Sequence, residues 1–377
     1  MAVLRKPILR CGPVVCAVDR EYQIMVPVNG ETLMSVAVNG KEYFDHAGGV
    51  RRSDCPVQRF TVPMDELDAA GEYTLRYCRV LERRAYSCVK GPSVVRRFPF
   101  SPVRKKDGIN VYVLSDCHGI RQEAVETASY FGQALDLLIL NGDVSSSCMT
   151  LEEAMLPYDI AWAVTGGRVP VVITRGNHDL RGKYSERLPE LMPCRGGRFY
   201  YPVSLGPLWL LALDCGEDKA DAHREYGGTA AYHAMRVEET DFLRRLAAEQ
   251  EAADCAARRL VVSHIPVSHR NTEPEKGERP FDIENGLYTE WTELLNEKIR
   301  PELYIAGHLH RAEVWQPGYP ADGRRLDCPV LIAGKPVHGR NKNVIGAALT
   351  LRDGGAEIAF TDKTRRIIAT ETIRNTL

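Results

Sequence analysis

No stretch of this sequence approaches the roughly 20 consecutive apolar residues that a membrane-spanning helix needs. The opening residues, Met1-Ala2-Val3-Leu4-Arg5-Lys6-Pro7, also lack the apolar core of a secretory signal, so a cytoplasmic protein is the expectation. Neither sign of charge is in excess: 49 Lys and Arg against 50 Asp and Glu leave a net charge of −1. That supplies no general attraction to nucleic acid or to an anionic membrane surface. The missing basic stripe with interleaved aromatics argues further against a nuclease. The 11 cysteines contain no CxxC pair, and their scatter reads as reduced, mostly buried thiols rather than a disulfide framework. No internal repeat is visible.

What the sequence does have is enough apolar residue to build a core. Hydrophobic residues make up 44% of the 377 positions and charged residues 26%, and the length suggests two domains. Residues 1–104 hold no convincing helix. Short β-rich pieces, 14–18, 21–26, 33–38, 41–44, 57–62 and 73–81, are spaced about ten residues apart. Asn39-Gly40 signals a hairpin between two of them. The spacing predicts a small sandwich of immunoglobulin or fibronectin type, although no Cys-Trp-Cys pattern marks an antibody-like domain. Three prolines in 91–102 and the basic run 104–106 read as a solvated connector. The expected boundary is therefore 1–104 for the sandwich and 105–377 for the remainder.

From residue 110 the pattern alternates strand and helix, which predicts an α/β region. Helices are expected over 122–131, 151–164, 237–253 and 289–299, with Pro157 kinking or breaking the second. Strands are expected over 170–174, 199–203, 208–213, 260–263 and 303–306, with β structure returning over 330–333, 344–351 and 356–360.

Five apolar runs in this region each end in residues of metal-ligand type. The run 111–115 leads into Asp116-Cys117-His118, and 137–141 into Gly142-Asp143. The run 171–174 leads through Arg175 and Gly176 into Asn177-His178-Asp179. Then 260–263 leads into His264, and 303–306 into Gly307-His308-Leu309-His310. Any one of these alone would be an ordinary Asx-type turn or a structural histidine. Together they point at one place, because sites in open α/β sheets form beyond the carboxyl ends of the strands. Carboxylate, amide and imidazole suit divalent cations, and two cations can clamp both oxygens of a phosphoryl displacement. Asp143, alone at its strand end, is the natural bridging carboxylate. Asp116 and His118 sit two apart, so an extended segment would aim both the same way with Cys117 turned aside as a packed thiol; His308 and His310 share that spacing.

In this order, Asp-x-His, Gly-Asp, Gly-Asn-His-Asp, a lone His and Gly-His-x-His resemble the calcineurin-type metallophosphoesterases, over residues 109–377. The resemblance implies a four-layer catalytic fold of two sheets flanked by helices. It implies one metal held by Asp116, His118, Asp143 and His310, and a second held by Asp143, Asn177, His264 and His308. His178 would be the catalytic imidazole beside the phosphate and leaving oxygen, with Asp179 orienting or polarising it. The implied reaction is hydrolysis of a phosphomonoester or phosphodiester by a hydroxide bridging two divalent ions, with manganese, iron and zinc all suiting the donor set.

A β-sandwich ahead of the catalytic region is similar to the layout of purple acid phosphatases. Those enzymes carry a metal-ligating Tyr where this sequence has Ser146, and tend to have Gly where it has His118, so their ferric site is not expected. The protein phosphatases carry an Arg soon after Gly-Asp, and Ser145-Ser146-Ser147 offers none.

Substrate contacts are sought around this cluster. Arg175 and Arg181 flank the Asn-His-Asp loop, and each reads either as a phosphate-oxygen partner or as half of a surface ion pair. The polar insert over 214–235 follows a strand, so His223 and Tyr226 are candidates for a substrate-selecting rim, against a plain surface excursion. His269 is a further rim candidate, and the charged stretch 272–280 a candidate lid. The expected partner is a small-molecule phosphate ester; the sandwich either shades the rim or pairs with a second subunit as a homo-oligomer. The competing reading is a binding or scaffold protein on a catalytically dead phosphoesterase fold, which ordinarily loses ligand positions that are all filled here.

Overall fold

A computed structural model describes residues 6–252, 258–270, 283–337 and 343–374; the candidate lid over 272–280 and His338 lie outside the described residues. The fold is α/β. Strands Ile109–Leu114, Leu137–Asn141 and Val171–Thr174 run parallel side by side. Strands Leu208–Ala212, Arg258–Val262, Leu303–Ala306 and Val330–Val337 form a second parallel set. Asn343–Arg352 joins the two, pairing antiparallel with Ile109–Leu114 and with the end of Val330–Val337.

The period of two in these strands builds the layers. Val111 and Val113 face the second sheet, in one buried cluster with Leu210, Leu260, Val262 and Ile305. Tyr112 and Leu114, on the opposite face, pack with Ala124, Met155 and Ile160 of the helices Arg121–Ala128 and Leu151–Thr165. The second sheet packs its outer face, through Leu211, Val261 and Tyr304, on Leu243 and Trp291 of the helices Tyr232–Ala252 and Asn285–Leu294. Helix, sheet, sheet and helix make four layers.

The N-terminal strands form a sandwich, and one of its sheets continues the first parallel sheet. Val14–Val18 pairs parallel with Val171–Thr174 through Cys16 and Val171, then antiparallel with Glu21–Pro27, which pairs with Val57–Pro63. Thr32–Val38, Lys41–Tyr43, Glu72–Arg83 and Val94–Pro99 form the facing sheet. The core is continuous: Ile24, Val36, Leu75 and Phe98 belong to the same buried cluster as Val113 and Leu260. Hydrogen bonding thus runs across the expected boundary at residue 104. Asn39 and Gly40, at φ 48° and 82°, close the hairpin that their dipeptide signals.

Two helix expectations differ from the structure. The N-terminal region does contain a helix, Met64–Ala70, with Asp65 and Glu66 in its first turn and Gly71 closing it in the left-handed region at φ 65°. Its seven residues are too few to show a period. Pro157 does not break Leu151–Thr165. The Glu153 carbonyl that Pro157 cannot serve accepts a hydrogen bond from the Ser145 hydroxyl at 2.6 Å instead, and a Thr150–Glu153 capping box holds the first turn.

Candidate metal centre

All five ligand-bearing segments end on the same edge of the two sheets. The loops at the first two strand ends are laced together: Asp116 N donates to Gly142 O at 3.1 Å, and His118 N to Asp143 O at 2.9 Å. Asn141, fully buried, ties in the others. Its carbonyl accepts from Ser115 Oγ and faces His264 Nδ1, each at 2.8 Å, and its amide donates to Ser263 O at 2.9 Å. Thr174 Oγ1 donates to Asn141 Oδ1 at 2.7 Å. The sequence offered no signal for this hub beyond a polar residue ending an apolar run.

Asp116 and His118 reach the centre from a left-handed backbone, at φ 54° and 44°, and so do Asp143, His308 and His310 at 50°, 64° and 52°. The extended segments expected from the two-residue spacings are therefore absent. Cys117 is turned into the core between its neighbours, and burial with the charges of Asp116 and Asp179 pushes its thiol well above its ordinary value. Non-glycine residues rarely adopt this conformation, and five of them around one point is strain held by the packed loops. Glycine is required where those loops touch. A Cβ on Gly176 would lie 2.2 Å from Asp143 Oδ1, and one on Gly307 would lie 2.0 Å from Ser115 Oγ.

The side chains then converge. Ligand atoms of Asp116, His118 and His310 lie within 4.8 Å of one another, as do those of Asp143, His264 and His308, and those of His118, Asp143 and His178. Nε2 of His118 is 2.9 Å from Nε2 of His310, which is 3.4 Å from Asp116 Oδ1. Nε2 of His264 is 3.2 Å from Asp143 Oδ2, and Nδ1 of His308 is 2.9 Å from Asn177 Oδ1.

Two of these atoms are fully buried with no well-aligned hydrogen bond, only the ion-pair contacts just given: Asp116 Oδ1 and His264 Nε2. Buried polar atoms are ordinarily satisfied, so a pair this poorly bonded 3.9 Å apart suits a cation between them. Asp116 and Asp143 are at most 1% exposed, a pair of buried carboxylates that also calls for positive compensation, while burial and the Asp143 charge raise the Asp179 carboxyl to about 7. The residues fit a centre of hard or borderline divalent ions.

The protein's own charges set the titration of the cluster. Burial alone would lower the His264 imidazole, but the Asp143 and Asp116 carboxylates outweigh it and raise the group to about 10. Burial lowers His118 to about 4, and the hydrogen bond to Asp116 raises His310. A cation would act in the opposite sense on a protonated imidazole.

The remaining expected residues divide. His178 is in the cluster, its ring centroid 4.6 Å from that of His118, with Nδ1 3.0 Å from the Ser146 carbonyl. Asp179 does not orient it. The Asp179 carboxylate accepts backbone N–H bonds from Asp143 and Gly176 at 2.9 Å and from Ser145 at 3.4 Å, so it organises the loops instead. Arg175 is not available to a phosphate: it is paired with Asp214 at 2.6 Å, lies over the Phe199 ring and is 12% exposed. Arg181 is beside the centre, with Nη1 3.1 Å from His178 Nε2 and its other nitrogens on Glu217.

Tyr226 donates to Glu217 at 3.1 Å and lines a cavity that also includes Arg181, Lys183 and Tyr232. His223 caps a short turn, its Nδ1 accepting from Glu225 N at 3.3 Å. His269 faces the Ala321 carbonyl at 2.7 Å and leans on Trp315, as a packed residue does. Sequence reasoning missed Glu217 and Asp218. Asp218 Oδ2 stands 3.6 Å from His308 Nε2, from within an insert that reads only as polar.

Residues 109–312 match the calcineurin-like phosphoesterase family. No curated protein is significantly similar in sequence. Among solved structures, the purple acid phosphatase PPD1 isolated from yellow lupin (Lupinus luteus) seeds aligns with a TM-score of 0.57 at 11% identity, over 97% of this chain and 75% of that one. The structure of PhoD aligns with a TM-score of 0.53 at 10% identity, over 100% of this chain and 94% of that one. At these identities the likeness is one of fold. No described helix is long and apolar enough to cross a membrane.

Proposed function

This chain belongs to the calcineurin-like phosphoesterases, hydrolases of phosphate esters, and on that premise we propose that it works through two divalent cations held by its own convergent side chains. Asp116, His118, Asp143 and His310 would hold one, and Asp143, Asn177, His264 and His308 the other, with Asp143 shared. Bound there, the cations supply Lewis-acid polarisation of the phosphoryl group and lower the pKa of water towards neutrality. Manganese, iron and zinc all suit the donors. Without a phenol at Ser146, a purple ferric centre is not proposed.

The protein's own groups divide the rest of the work. Asn141 faces Nδ1 of His264 with its carbonyl and so turns a lone pair outward at Nε2. His178 carries its proton on Nδ1 towards the Ser146 carbonyl and accepts from Arg181 Nη1 at Nε2, so Nε2 is the nitrogen that would exchange a proton with the leaving oxygen once a substrate draws the guanidinium away. Arg181 beside it can hold a phosphoryl oxygen with Nη1. The substrate would be a small phosphate ester, monoester or diester, and Tyr226 lines with Arg181 the cavity beside the centre. The observation that carries this reading is the pair of poorly bonded buried atoms, Asp116 Oδ1 and His264 Nε2, in a cluster of carboxylates and imidazoles.

The test is metal analysis together with turnover of an aryl phosphate monoester and a diester with added manganese. Two cations per chain and hydrolysis of either ester support the proposal. Metal-loaded protein inert towards both esters and towards nucleotides supports a binding role instead.

A further inference from the structure

We propose that the consecutive acids Glu217 and Asp218 are positioning residues, one fixing Arg181 against His178 and the other orienting His308. The inference rests on the reading of His308 as a metal ligand.

Glu217 is 1% exposed and meets Arg181 with both oxygens, Oε1 to Nε at 2.8 Å and Oε2 to Nη2 at 3.1 Å. A two-pronged pair of this kind fixes the plane of the guanidinium. The nitrogen left over, Nη1, is the one that lies 3.1 Å from His178 Nε2. The Tyr226 hydroxyl donates to the same carboxylate at 3.1 Å, which narrows its freedom further.

The next residue points the other way. His308 Nδ1 lies 2.9 Å from Asn177 Oδ1, the other member of its proposed ligand set; that oxygen can only accept, so Nδ1 donates to it without a cation and would give up that proton to offer a lone pair to one held between them. An imidazole that offers a lone pair at Nδ1 must carry its proton on Nε2. Nε2 faces Asp218 Oδ2 at 3.6 Å, within ion-pair range. Carboxylates in this position set the tautomer and ring plane of a ligating histidine. Asn141 does the same for His264 through a carbonyl.

The backbone that carries both acids is itself anchored. Arg236, 1% exposed on the helix Tyr232–Ala252, donates from Nε to Cys215 O at 2.8 Å and from Nη2 to Glu217 O. Glu284 meets its Nη1 at 3.1 Å. Lys219 flanks Asp218 at 3.4 Å. The polar insert is thus a braced arm whose two adjacent carboxylates reach opposite flanks of one site.

Cation binding to metal-stripped full-length protein, followed by calorimetry, tests the Asp218 half. Asp218→Asn is expected to weaken one of two cation sites by about 10–100-fold and leave the other unchanged, with Asp218→Glu recovering most of the loss. Should Asp218→Asn not fold, Asp218→Ser carries the same test. Glu217→Gln is expected to keep both affinities while kcat falls about tenfold and KM moves little. Wild-type affinity at both sites in Asp218→Asn, or unchanged kcat in Glu217→Gln, would overturn the proposal. Wild-type protein that binds no pair of cations would defeat the dinuclear reading itself, whatever the variants do.

Discussion

Nδ1 of His264 lies 2.8 Å from the carbonyl oxygen of Asn141, while Nε2 of the same ring is buried in an ion pair 3.2 Å from Asp143 Oδ2 with no well-aligned hydrogen bond. One nitrogen is fixed so that the other can serve. The first consequences concern the cations.

Asp143→Ala removes the carboxylate shared by both proposed ligand sets. Metal content measured after dialysis is expected to fall to background for both ions. Asn177→Ala, which touches only one set, is expected to retain one ion per chain. Equal retention by the two variants would contradict a shared Asp143.

Metal binding near neutral pH is expected to release a proton from His264. With its value raised to about 10, the ring is protonated at pH 7, and the lone pair a cation needs is available only once that proton leaves. Calorimetry in two buffers of different ionisation enthalpy reads the release directly. In metal-stripped protein the sign runs the other way for stability. The raised value contributes stability that is fully present below about 6.5, the ordinary imidazole value, and lost as the pH climbs through about 10.

His178→Ala is expected to lower kcat by about 10²–10⁴-fold, as loss of a general acid does. Its Nδ1 contact is with the Ser146 carbonyl, at 3.0 Å, and it belongs to neither proposed ligand set, so metal content and melting temperature should stay near wild type. Full activity in this variant would remove His178 from the chemistry.

Asp179→Ala is expected to behave in the opposite manner. Its carboxylate accepts from the backbone of Asp143, Gly176 and Ser145, and each buried amide left unsatisfied costs roughly 1–3 kcal/mol. A lowered melting temperature with weakened metal binding is the expected result, read by thermal unfolding and metal analysis. A stable, metal-loaded Asp179→Ala protein of low kcat would restore it as a partner of the catalytic imidazole.

Gly176→Ala brings a Cβ within 2.2 Å of Asp143 Oδ1. The shared carboxylate must move, so this one methyl group is expected to cost more metal affinity than His178→Ala. Metal titration of the two variants side by side decides it.

The family of the site was legible because its signals are local. Each ligand block follows an apolar run, and strand ends of a parallel sheet are where such blocks meet. Alternation placed Val111 and Val113 on one face and Tyr112 and Leu114 on the other. The sequence by itself therefore determined the α/β class, the order of the blocks and which side chains could meet. It did not determine how they meet. The backbone reverses into the left-handed region at Asp116, His118, Asp143, His308 and His310, because laced loops and not local propensity hold it there. Only the tertiary structure turned Asp179 towards three amides, committed Arg175 to Asp214, and joined the N-terminal strands to the first parallel sheet through Cys16 and Val171. Those are contacts between residues far apart in the chain, and no spacing or composition encodes which partner a buried charge or an open strand edge will find.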